Sequence, residues 1–61
     1  MWTVIYIAPS AKIAEKIQDR LTEEGFLVKV RSIQHGKQYE VLVPESELDD
    51  VREALAYILQ S

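Results

Sequence analysis

Few residues in this chain can carry bond-making chemistry. There is one histidine, His35, and no cysteine. Hydrolytic catalysis at His35 would need a nucleophile and an orienting acid beside it. Ser32 is close in sequence, yet strand alternation followed by a turn gives no reason for its hydroxyl to face the imidazole. A solvated turn histidine is the expectation. Without cysteines or a histidine cluster, neither a disulfide framework nor a structural zinc is available, and no metal site is expected.

Binding chemistry has two candidate groups. Trp2 and Tyr6 fall on one face of an apolar strand, where RNA-recognition sheets stack bases on aromatics. Against an RNA-recognition-like sheet stand the net charge of −3, the pI near 4.9 and the absence of an RNP-type run. Nucleic acid is not an expected partner, and packing is the expected task of both aromatics. The second group is electrostatic. If the first two strands run parallel, one end of the sheet gathers Ser10, Lys12, Arg31, His35 and Lys37 with the free amides of the first helix. A helix N-terminus beside cations suits a small anionic ligand. The Ser10 loop has no glycine-rich cradle, so plain solvated turns are the competing expectation. The opposite end collects Glu23, Glu24, Glu45, Glu47, Asp49 and Asp50.

The elements that must position these residues are legible from pattern and punctuation. Trp2 to Ala8 is β-branched or aromatic almost throughout and reads as a strand. Simple alternation puts Trp2, Val4 and Tyr6 on one side and Thr3, Ile5 and Ile7 on the other, both apolar. Pro9-Ser10 interrupts it, and Ser10 is a suitable N-cap. A helix follows over 11–24, with Ile13, Ala14, Ile17 and Leu21 on its apolar stripe and Gly25 at its C-terminal stop. A second strand spans 26–33, Phe26, Val28 and Val30 on one side, Leu27, Lys29, Arg31 and Ile33 on the other. Gln34 to Lys37 forms a turn with Gly36 as its permissive residue. The return strand, 38–43, turns Tyr39, Val41 and Val43 inward and Glu40 and Leu42 outward. Pro44 ends it. Ser46 and Asp49 have capping-box spacing before a last helix over 47–59, whose stripe is Leu48, Val51, Leu55 and Ile58.

The order β-α-β-β-α predicts an α+β, two-layer α/β sandwich. A helical crossover makes strands one and two parallel, and the short turn makes strands two and three a hairpin. Inserting strand three between the others gives a three-stranded sheet in order 1-3-2, with both helices on one face, as in half of a ferredoxin-like fold. The whole chain, 1–61, reads as one domain. Its 48% hydrophobic content is that of a globular protein. No apolar run is long enough to span a bilayer and no leader-like pattern precedes the first strand, so a cytoplasmic, non-membrane protein is expected.

The run MWTVIYIAPSAKIAEKIQDRLTEEGFLVKV, with YEVLVPESELDDVREAL further on, resembles a group of very short bacterial proteins, mostly from Firmicutes, that often carry the label glutamate decarboxylase. More loosely, the chain is similar to small signal-transducing ferredoxin-like half-domains, distantly reminiscent of PII-type regulators. Those share a helix ending in "GF" or "GI" and a "VPE" helix start. That second resemblance implies a regulatory module. The first implies pyridoxal phosphate on a Schiff-base lysine. The lysines are Lys12, Lys16, Lys29 and Lys37. All fall on exposed helix, turn or the uncovered sheet face, and no segment is large enough to enclose a cofactor. The residues therefore give the decarboxylase label no support: no cofactor and no catalytic residue is expected. An enzyme would require a composite site at an oligomer interface.

A non-catalytic interaction or regulatory module is the favoured class. A domain this small gains only ~3–5 kcal/mol from its own core, and mini-proteins often compensate by oligomerising. Helices on one face leave the other bare. A homodimer is therefore expected, burying strand one and an interface of Trp2, Val4, Tyr6, Leu27, Ile33 and Leu42.

Overall fold

Val41, Leu42 and Val43 are three consecutive apolar residues, and only a central strand can bury all three. In the computed structural model, which describes residues 1–60, that strand is β3 (Gln38–Pro44). It lies between β1 (Trp2–Ala8) and β2 (Lys29–Ile33) and runs antiparallel to both. The sheet order is thus 1-3-2, as expected, with β1 and β2 parallel in direction and separated by β3.

Helix α1 (Ala11–Glu23) contributes Ala14, Ile17 and Leu21 to the core, and helix α2 (Leu48–Gln60) contributes Val51, Leu55 and Ile58. These meet Ala8, Val41 and Val43 in one cluster, so both helices cover the same side of the sheet. Burying a Leu or Val side chain fully stabilises by roughly 1.5–3 kcal/mol. Ile13, placed on the apolar stripe by periodicity, is instead 39% exposed at the margin of α1.

The helix ends follow local chemistry. The Ser10 hydroxyl accepts from the Ile13 amide at 3.3 Å, making Ser10 the N-cap of α1. At the other end Gly25 adopts φ +95°. Its N–H donates to the Thr22 carbonyl at 3.0 Å, and the Phe26 N–H donates to the Leu21 carbonyl at 3.1 Å. That is a Schellman closure, with Phe26 packed against the core that holds Leu21. Helix α2 departs from expectation. The chain enters it through a 3₁₀ turn, Glu45–Glu47, capped by Pro44 without a side-chain bond. Ser46 lies inside that turn, which removes it from the capping position its spacing with Asp49 suggested.

The second strand is shorter than its pattern. Phe26 to Val28 lie outside it, although Phe26 and Val28 still pack on the core. The Val28 carbonyl accepts from Gln18 Nε2 of α1 at 3.3 Å rather than from a strand.

Alternation also fails in β1. Its register against β3 slips between Val4 and Tyr6: Val4 opposes Leu42, and Tyr6 opposes Val41. One extra residue, a β-bulge, swings everything beyond it to the opposite face. Tyr6 therefore joins Ile5 against the core, while Ile7 turns to the helix-free side and is 48% exposed. Tyr6 does not share a face with Trp2 and Val4 as expected.

Candidate interaction surface

The helix-free face of the sheet is where the sequence-predicted interface residues can meet, and it divides into two unlike strips. Along β1 stand Trp2, Val4 and Ile7, respectively 44%, 39% and 48% exposed. None carries charge, and no charged residue occurs in β1. Along β2 stand Lys29 and Arg31, whose register partners on β3 are Leu42 and Glu40.

The charged strip is internally neutralised. Arg31 Nε donates to Glu40 Oε1 at 2.8 Å, and Arg31 Nη2 makes a second contact with the same oxygen. Lys29 Nζ lies 5.6 Å from the centre of the Trp2 ring, a cation–π distance. These two side chains come from opposite edges of the sheet, and Leu42 lies on the strand between them. Leu42 is only 6% exposed although no helix covers it. The outward direction of Glu40 was legible from strand alternation, but the reach from Lys29 to Trp2 was not. Nothing local in the sequence signals a contact between residues so far apart in the chain.

Of the expected interface residues, Trp2, Val4 and Leu42 are contiguous. Leu27, 63% exposed, precedes β2, and Ile33 ends it opposite Gln38. Both sit on the far side of β3 from Trp2 and Val4. Tyr6 is on the core side, and Ile7 takes its place.

The expected anion group shares one end of the sheet by topology, and two of its members, Ser10 and Arg31, have other engagements. Ser10 uses its hydroxyl to cap α1, and Arg31 is held by Glu40. His35 is exposed at φ 55° and ψ 40°, inside a turn where Gln34, at φ 51°, and Gly36 are also left-handed. Among the described residues no hydrogen bond joins His35 to Ser32. Two surface clefts stand out, and neither contains Ser10, Arg31, His35 or Lys37. Lys12 lines a shallow one along the outer face of α1 with Glu15, Lys16, Asp19 and Arg20.

The other cleft, of about 390 Å³, lies between the helices, where Glu24, Asp50 and Glu53 face Arg20, Phe26 and Tyr57. It contains no nucleophile–base pair. Among the described residues no three His, Cys, Asp or Glu side chains come together as a metal site, and no helix is long and apolar enough to cross a membrane. Compared with family models, with curated proteins and with solved structures, the chain matches none.

Proposed function

We propose that this chain is a non-catalytic interaction module that works by self-association, with the apolar β1 strip as its contact surface. One observation carries this: the exposed row Trp2, Val4 and Ile7 on a strand with no charge, in a domain whose own core is small. A natural sheet usually blunts such an edge with Lys, Pro or inward charge. An isologous dimer hides the row on both copies at once and then closes, leaving no free surface for further growth. Against the decarboxylase function implied by the first resemblance stands the lining of the helix–helix cleft, which among the described residues holds Arg20 and no lysine for a Schiff base. A regulatory role, as the second resemblance implies, is compatible with a domain that pairs through a sheet.

Sedimentation or light scattering over a hundredfold dilution range from high micromolar concentration tests the proposal. Expected are a two-chain mass that dissociates on dilution, a concentration-dependent melting temperature, and a shift to one chain for Val4→Lys. A one-chain mass throughout would overturn it. So would carbon dioxide release from glutamate with pyridoxal phosphate, above that of a variant with all four lysines replaced by arginine.

A further inference from the structure

We infer that the cleft between the two helices is a site for a small organic polycation, an alkyl diamine or polyamine. The cleft lies in the helical layer, on the opposite side of the sheet from the β1 strip, so it stays open whether or not that strip is covered.

Its walls come from both helices. Asp50, Glu53 and Tyr57 recur at spacings of three and four, so they share one face of α2 and run about 10 Å along it at a rise of ~1.5 Å per residue. Arg20 and Glu24 line it from the end of α1, with Phe26 just beyond the closure at Gly25. The volume, about 390 Å³, falls in the range of small-molecule pockets, ~300–1,000 Å³.

Folding accounts for part of the charge in this cleft. Asp50 lies in the first turn of α2, where a carboxylate complements the positive end of the helix dipole. Glu24 does not fit that account. It is the C-cap of α1, at the negative end, where the same dipole disfavours an anion. It also shares the cleft with Asp50 and Glu53. Arg20 lines the same space, yet among the described residues it forms no ion pair with any of the three. The pair that does form is Arg31 with Glu40, on the other face of the sheet. Three carboxylates against one guanidinium leave the lining negative, and a bound cation relieves their repulsion.

The spread of these groups selects the kind of cation. Among the described residues no three carboxylates converge as a metal site, so a compact ion cannot collect them as ligands. An extended cation can, with its charged ends at the carboxylates and methylenes between them. The aromatics suit such a chain. Phe26 is packed on the core, and Tyr57, lining the same cleft, is 75% exposed. An ammonium over an aromatic face gains from the ring quadrupole. Among the described residues the chain's own cation–π contact is elsewhere, Lys29 over Trp2.

Spermidine titrated into isotope-labelled protein and followed by amide NMR shifts tests the site, with butylammonium and magnesium chloride at matched ionic strength as controls. Expected is a saturable shift centred on Glu24, Phe26, Glu53 and Tyr57 at low-millimolar spermidine or below. Butylammonium should bind at least fivefold more weakly, and magnesium should not saturate these residues. Glu53→Gln should weaken binding at least threefold, and Arg20→Gln should tighten it at least twofold. Glu15→Gln removes the same charge as Glu53→Gln but lies on the outer face of α1, and should change binding by less than half. Tyr57→Leu keeps an apolar side chain without a π face and should weaken binding at least twofold. All four positions are exposed, so these variants leave the core intact. Shifts that do not saturate, equal saturation by magnesium, or equal losses for Glu15→Gln and Glu53→Gln would overturn the site, leaving a general attraction of the acidic surface for cations. Tighter binding of a lysine-containing peptide of equal charge would overturn the small-molecule assignment.

Discussion

Replacing Gly25 should reveal how firmly the end of α1 is fixed. Gly25 is exposed, at φ +95°, one residue beyond the C-cap Glu24. A Cβ built there meets no atom within 4 Å, so packing contributes nothing and backbone conformation alone sets the outcome. Holding an L-residue in the left-handed region costs ~1–2 kcal/mol. Alanine also stiffens the unfolded chain, which offsets ~0.4–1 kcal/mol of that cost. The net loss for Gly25→Ala is then up to about 1.6 kcal/mol, with each kcal/mol lowering the melting temperature by ~4–8 °C in a domain of this size. Urea unfolding followed by circular dichroism measures it, at one protein concentration throughout so that the proposed association, which would add a mass-action term, is held constant. The denaturant slope should not change. Gly25→Asn should lose less, since asparagine tolerates the left-handed region. D-Alanine, introduced by chemical synthesis, has no left-handed penalty and should stabilise by ~0.4–1 kcal/mol. If L- and D-alanine shifted stability in the same direction, the Schellman closure would not be what governs this position. A loss above about 3 kcal/mol for L-alanine would mean a steric clash where the structure has open space.

Other positions give sharper contrasts between neighbours. At a dilution where the chain is monomeric, Tyr6→Ala should cost ~1.5–3 kcal/mol, below the ~3–5 of a fully buried aromatic. Ile7→Ala, at a half-exposed position, should cost under about 1 kcal/mol; the reverse order in chemical denaturation would remove the bulge. A double-mutant cycle on Arg31→Ala and Glu40→Ala should give a coupling of ~0.2–1 kcal/mol that weakens with salt, because the pair is only partly shielded. Arg31 is 60% and Glu40 16% exposed, and a salt-independent coupling above about 2 kcal/mol would show a buried pair instead. His35→Val should lose ~1–2 kcal/mol, since a β-branched side chain fits a left-handed turn badly, while His35→Asn should stay within about 0.5 kcal/mol. Equal thermal stability of the two variants would argue against a left-handed conformation at His35.

Much of the fold was written locally. Ser10, Gly25 and Pro44 each impose a backbone constraint that no distant contact can revoke, so the start and stop of α1 and the end of β3 were legible. Helical and strand periodicity then named most of the core, including Ala14, Ile17, Leu21, Val41, Val43, Val51, Leu55 and Ile58. The 1-3-2 order followed because a helical crossover leaves a gap that a hairpin partner can fill. The surface was less legible, for a reason that lies in β1 itself. A strand apolar on both faces has no alternation to fix its register, so the residues that face the core are chosen by what packs best beneath the helices. Here the choice was a bulge that sends both Ile5 and Tyr6 to the core and releases Ile7. The shielding of Leu42 has the same origin, since a lysine on one edge and a tryptophan on the other approach only once β3 has slipped between their strands. Sequence determined which elements form and where they end; the tertiary structure decided which side of β1 is left facing solvent, because that depends on neighbours the strand acquires only on folding.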